Sequence, residues 1–147
     1  DADDATQNAL IAIVRALPSF DGRSKFSTWA YRIATNAALD ELRRIRRRDV
    51  PNDDAKFENI SVGDATNAVD AQLDVSAALA EVPEEFRVAL VLRHIADLDY
   101  EEIAVILDVP VGTVRSRLSR GRAQLTALLG NQSDNIGRQN NSTGGQP

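Results

Sequence analysis

Apolar positions recur at steps of three and four along most of this 147-residue chain, and that spacing predicts helices rather than strands. Ala9, Ile13 and Ala16 with Leu10, Val14 and Leu17 make one broad apolar stripe behind an acidic start at Asp1, Asp3 and Asp4. Pro18 to Gly22 is a turn by composition. Ser27 or Thr28 is placed to cap a second helix, which carries Trp29, Ile33 and Ala37 and reaches Arg48. Leu73 to Val82 reads as a short helix. Pro83 opens the next one, with Glu84 and Glu85 in its first turn and Phe86, Ala89, Leu90 and Leu92 apolar, ending near Ala96 and Asp97. A further pair follows. Ile103, Ile106 and Leu107 recur behind Glu101 and Glu102; Asp108-Val109-Pro110 breaks the pattern; then Val114, Leu118 and Leu125 recur again from about Val111. The expected fold class is all-α.

Between these helices the period fails twice. Residues 50–72 contain Pro51 and Gly63 with scattered single hydrophobics such as Phe57 and Ile60, and read as a flexible acidic linker. Gly130 is expected to stop the last helix, leaving an Asn-, Gln-, Gly- and Ser-rich tail over 130–147 that should be disordered. The expected division is therefore a helical domain at 1–49, the linker at 50–72, a second helical bundle at 73–129 and the tail.

Charge sharpens this division. The net charge is −5, but its distribution is uneven. Residues 1–14 carry −3, residues 15–48 carry +6, residues 49–86 carry −9 and residues 87–147 carry +1. Two basic surfaces flank an acidic connector, and screening over roughly 8–10 Å lets each meet phosphates locally. The connector either maintains solubility or occupies a positively charged channel in a partner. There is no Cys and only one His, His94, so neither disulfides nor a thiolate metal site can form. With no phosphate-cradling glycine loop either, an enzyme is disfavoured, and no cofactor or metal is expected. No apolar run reaches membrane-spanning length, no signal peptide is visible and no membrane insertion is expected, which makes a cytoplasmic protein the simplest expectation.

The candidate chemistry is nucleic-acid binding at two places. From Gly112 to Leu125 there are four arginines and no acid. A short helix, a tight turn and a basic second helix describe a helix-turn-helix, whose second helix enters the major groove of DNA. Ala104 is the small residue that lets the helices cross closely. Asp108 stands at the turn position where Gly is usual, and Asp tolerates the left-handed backbone better than most residues. The plainer alternative is a packed helical hairpin with a solvated basic face. In the second helix, Arg32, Asn36, Asp40 and Arg43 share one side, and Glu41 to Arg48 holds five arginines. With Trp29 and Tyr31 nearby, this suits single-stranded nucleic acid, where aromatics stack on bases and arginines follow phosphates. Trp29 is otherwise a core residue and the arginine run a solvated helix end.

DADDATQNALIAIVRAL with FDGRSKFSTWAYRIATNAALDELRRIRRR resembles region 2 of bacterial sigma factors, and ALAEVPEEFRVALVLRHIADLDYEEIAVILDVPVGTVRSRLSRGRAQL resembles their region 4. The order, the short acidic linker and the lack of a third domain resemble the extracytoplasmic-function group, group IV of the sigma-70 family. The family's helix before Asp1 is absent, so the first domain is expected to be N-terminally incomplete. Asp108 replaces the usual Gly, and Ser119 is smaller than in many members. The resemblance implies that Asp4, Gln7, Asn8 and Ile11 face the clamp coiled coil of core RNA polymerase. It implies that the loop Arg23, Ser24, Lys25, Phe26 and Ser27 pockets a base flipped from the −10 element. Asn36, Asp40 and Arg43 would touch neighbouring −10 bases or backbone, and Arg44 to Arg48, Arg47 included, its phosphates. The second bundle would sit on the polymerase flap, with Arg115, Ser116, Ser119 and Arg120 facing the −35 element and Thr113 and Arg117 its phosphates.

The implied function is to direct core RNA polymerase to promoter DNA and to help open the −10 region, with an anti-sigma factor as a further partner. Physical reasoning agrees with the division. Unstacking costs a few kcal/mol and must be offset by capture of the unpaired base, whereas a duplex element suits a major-groove helix. The alternative is a stand-alone helix-turn-helix regulator, which would need a dimerisation element and a sensor; neither is visible.

Overall fold

The structure, a computed structural model, describes the backbone of residues 2–48 and 68–140 and the side chains of 2–48 and 75–131. Among the described residues there are six α-helices and no strand: α1 (Ala2–Ala16), α2 (Phe26–Arg48), α3 (Ala68–Glu81), α4 (Glu84–His94), α5 (Tyr100–Leu107) and α6 (Val111–Asn140), with a 3-10 turn at Leu17–Ser19. The all-α expectation holds. By packing the chain divides into two units, Asp1–Phe57 with Asp99–Val111, and Glu58–Leu98 with Gly112–Pro147. The expected 73–129 bundle therefore differs in one respect: α5 packs on α2.

In the first unit α1 lies along α2. Its inward side is built of Ala5, Ala9, Ala12, Ile13 and Ala16, which are half-buried. These small side chains bring the two backbones close. Asp3 and Asp4 begin α1 and Arg15 ends it, each favourable to the helix dipole. The other half of the apolar stripe remains outside: Leu10 is 58% exposed and Val14 67%. Pro18 sits in the 3-10 turn, where Ser19 Oγ donates to Ala16 O at 2.6 Å and Phe20 N–H to Leu17 O at 3.1 Å. The turn delivers Phe20 onto Phe26 and Trp29, with ring centroids 5.1–5.6 Å apart.

Helix α2 starts earlier than expected. Trp29 N–H donates to Lys25 O at 3.1 Å, so the first helical bond is already closed there. Thr28 is consequently inside the first turn, and its hydroxyl is directed to another helix instead of capping its own.

Helix α5 is short and depends on its ends. Asp99 caps it: its carboxylate accepts from Glu102 N–H at 2.7 Å, while Glu102 Oε1 accepts from Asp99 N–H at 3.4 Å. This reciprocal capping box satisfies two donors that the helix leaves open. Asp108 closes the other end at φ 54, ψ 50, its N–H reaching the last carbonyls. Ile103 and Ile106 are buried. Asp99→Ala should cost about 1 kcal/mol, read as a lower urea midpoint with unchanged slope.

The second unit is held by apolar side chains from α3, α4 and α6. Ala78, Ala89, Val114 and Leu118 have no exposed surface, and Val82, Leu90 and Leu92 nearly none. Pro83 precedes α4 with φ −51, and Phe86 N–H and Arg87 N–H both donate to its carbonyl. After α4 the chain turns through Asp97 at φ 54, and Leu98 N–H returns to Leu92 O at 3.1 Å. Arg93 Nη1 donates to Leu98 O at 2.9 Å and fastens the same turn. Gly121 is where α6 approaches α4. A Cβ built there would meet Leu90 Cδ1 at 3.0 Å and Phe86 Cβ at 3.2 Å.

Two boundaries are corrected. The linker reading over 50–72 ends too late, because α3 already begins at Ala68; its earlier residues lie outside those described. The reading of Gly130 as a stop also fails, since α6 continues to Asn140. A single Gly costs a helix only about 1 kcal/mol, and no glycine at a left-handed φ is found there to end it. Tail residues 141–147 lie outside those described.

Candidate nucleic-acid interface

The first candidate surface is built on α2. A 23-residue helix presents a stripe at steps of four and three, and Asn36, Asp40, Arg43 and Arg47 on it are all exposed. Arg44 is exposed beside them. The acids interleaved here are paired: Arg43 Nη1 meets Asp40 Oδ1 at 3.0 Å, and Arg44 grips Glu41 through Nε at 2.9 Å and Nη2 at 2.6 Å. At the helix start the loop is held by its own turn. Gly22 takes φ 75, and Asp21 accepts from Arg23 N–H at 3.0 Å. Arg23, Ser24, Lys25 and Phe26 are all exposed. Trp29 is half-buried and supports the exposed Phe26 from behind. The two alternatives for Trp29 thus merge: it is a structural residue that backs an exposed ring.

The Arg44 grip holds the Glu41 carboxyl below its ordinary value of 4.5 and raises the Arg44 guanidinium, chiefly through their hydrogen bond. A lowered folded value means that the unfolded chain takes up the proton first. The pair's contribution is complete above the ordinary value of 4.5 and is lost as pH falls through the lowered one. Glu41→Gln should therefore melt earlier than the unaltered protein at neutral pH, and the two melting temperatures should converge on acidification.

The second surface is the outer side of α6. Val114 and Leu118 are fully buried and Gly121 is buried, which turns Arg115, Ser116, Ser119 and Arg120 outward, and all four are exposed. Ser116 Oγ donates back to Thr113 O at 3.0 Å. Thr113 is half-buried. Arg117 is half-buried and lies 3.9 Å from Glu85 of α4. A guanidinium has five donors, so this contact leaves others for an anion. Asp4, Gln7, Asn8 and Ile11 are exposed on α1. The Glu85 partner of Arg117 and the Glu102 partner of Thr28 are not legible from local pattern, although Asp99-x-x-Glu102 is itself a capping-box signal. Among the described residues no cluster of acids and histidine can hold a metal, and His94 is exposed at the end of α4.

Residues 1–48 match the model of sigma-70 region 2, and residues 72–125 match that of sigma-70 region 4. The chain belongs to the sigma-70 family. It is similar to the ECF RNA polymerase sigma-E factor of Escherichia coli strain K12, at 43% identity over 134 residues, covering 83% of this chain and 70% of that protein. The RNA polymerase sigma-H factor of Pseudomonas aeruginosa is 39% identical over 141 residues, covering 88% and 73%. Of solved structures, the sigma factor RpoE, in complex with the anti-sigma factor NepR from Bartonella quintana, superposes with a TM-score of 0.73 at 29% identity, covering 87% of this chain and 80% of that one. CnrH, in complex with the cytosolic domain of CnrY, gives a TM-score of 0.64 at 29% identity, covering 88% and 71%. The extracytoplasmic-function resemblance is thereby confirmed, and the sigma-70 regions fall on the two basic surfaces.

Proposed function

We infer that this chain is a promoter-specificity subunit: it directs core RNA polymerase to specific promoters and helps open the −10 region. The observation that carries this is the pairing of regions 2 and 4 in family order with exposed arginines on α2 and on the outer side of α6. Residues 1–49 form the −10 and clamp-binding part, 73–129 the −35 part, and the segment between them the connector. Arg23, Ser24, Lys25 and Phe26 receive an unpaired base, while Asn36, Asp40, Arg43, Arg44 and Arg47 follow the strand. Arg43 exchanges the exposed Asp40 carboxylate for a phosphate, a small loss because such surface pairs are weak, and Arg44 gives up the half-buried Glu41. Arg115, Ser116, Ser119 and Arg120 read the −35 duplex, with Thr113 and Arg117 on its phosphates. Asp4, Gln7, Asn8 and Ile11 face the polymerase clamp.

The chemistry of synthesis belongs to the polymerase; no catalytic residue is assigned to this chain. It acts in the cytoplasm, where the chromosome is, and no described helix is long and apolar enough to cross a membrane. An anti-sigma factor is a further partner, supported by the similar sigma factor RpoE, which was solved with the anti-sigma factor NepR. The test is transcription from genomic fragments by purified core polymerase with and without this protein. Discrete transcripts that require it are expected. Tight operator binding without polymerase, and no added transcript with it, would instead identify a stand-alone regulator.

A further inference from the structure

Gly112, Gly121 and Gly130 all lie within α6, where glycine is a poorer helix former than alanine. Gly121 has its reason inside the fold, since a Cβ there would press on Leu90 and Phe86. Gly22, in the loop before α2, has another: its φ is 75. Gly112 has neither. Its backbone is not left-handed, and a Cβ built on it would meet nothing within 4 Å. It is exposed. Nothing in its surroundings requires a bare hydrogen at this position.

Placement on the helix supplies the requirement. Arg115, Ser116 and Ser119 follow Gly112 at steps of three, four and seven, so the four share one side of α6. All four are exposed, while Val114, Leu118 and Gly121 are buried on the opposite side. Gly112 is therefore the first member of the outward stripe. Gly130 shows that open surroundings alone assign nothing. It too is exposed with nothing near its Cβ position. It lies about 27 Å farther along the axis, at 1.5 Å per residue, and past residue 125, where the match to region 4 ends.

We propose that Gly112 is the point of closest approach between α6 and the −35 duplex, a positioning residue whose missing side chain lets the rest of the stripe reach the bases. This rests on the sigma reading given above. The major groove is about 12 Å wide and a helix with its side chains roughly 10–12 Å across, so a reading helix enters with little room. Its depth is then set by whichever outward position touches the duplex first. Arginine can reach a base edge from a distance, but Ser116 and Ser119 are short and read only if the backbone itself comes close. A methyl group at 112 would hold the start of α6 off the duplex and lift both serines away. Glycine is the residue that permits a backbone to approach a ligand closely.

The test is Gly112→Ala in the full chain, because stability and binding should move in opposite directions. The urea midpoint of the free protein should rise with unchanged slope, since alanine favours the helix and meets no neighbour. With core polymerase, affinity for a duplex promoter recovered by the transcription test should fall on the order of tenfold, the scale of one lost base-edge contact. On a forked template that keeps the −10 element and lacks the −35 element, the variant should bind like the parent. Gly130→Ala is the control: it should raise the midpoint and leave promoter affinity unchanged. Parent-like affinity of Gly112→Ala for the duplex promoter overturns the proposal, as does an equal loss on the forked template. A lowered midpoint also overturns it, because the need for glycine would then lie within the fold. Failure of the sigma reading is seen separately, as the lack of any transcript that requires the parent protein, and takes this inference with it.

Discussion

Leu118→Ala should destabilise the second unit by about 3 kcal/mol, because a fully buried leucine cut to alanine loses its transfer energy and leaves a cavity. Leu118 has no exposed surface, and Val114 one turn before it has none either. Gly121, one turn later, is pressed on Leu90 and Phe86. A rigid seam of this kind cannot collapse far around a missing isopropyl group. The side chain is also flanked by Arg117 and Arg120, so its loss loosens the helix that would carry the DNA-reading residues. Chemical denaturation of the full chain measures the effect. A loss below about 1 kcal/mol would mean that the seam repacks, contrary to the close contacts at Gly121.

Arg115→Ala should weaken promoter binding by the polymerase complex by about 1–3 kcal/mol and relax preference at one −35 base pair, as removal of a base-edge contact does. Arg115 is exposed on the outer side of α6, opposite buried Val114 and Leu118. Arg117→Ala provides the contrast. That side chain is half-buried against Glu85, so its loss should lower affinity evenly across promoter sequences, and the salt dependence with it. Binding measured on a panel of single-base −35 variants separates the two. An even loss from Arg115→Ala would make it a phosphate contact and move base reading to Ser116, Ser119 or Arg120.

Much of this arrangement was legible before any coordinates. The 3.6-residue period placed Val114 and Leu118 inward and therefore Arg115, Ser119 and Arg120 outward. Charge alone located the arginine-rich end of α2. The left-handed turn at Asp108 followed from the break between two apolar patterns, and Asp supplies it at φ 54. What escaped was long-range or weakly encoded. No local pattern couples Thr28 to a carboxylate 74 positions away, and a threonine near a helix start looks like a cap. The outward half of the α1 stripe, Leu10 and Val14, carries the same periodic signal as the inward half, since period reports a face without saying what covers it. Gly130 misled because glycine weakens a helix without necessarily ending it, and the helical geometry persists beyond it. The start of α3 at Ala68 was hidden because its first turn offers only Ala68, Val69 and Ala71 around Asp70, with no large apolar side chain before Leu73 to mark an inward face.

The close approach at Gly121 sets a rule for how this protein can vary. The hydrogen at that position is matched to the bulk of Phe86 and Leu90, 3.0–3.2 Å from where a methyl would stand. Descendants that acquire alanine or serine at 121 should carry a slimmer side chain at 86 or 90, and those that keep glycine are free to retain both. The three sites should therefore trade volume as a group across related lineages, while Arg115 and Ser119, exposed one helix face away, vary free of that constraint.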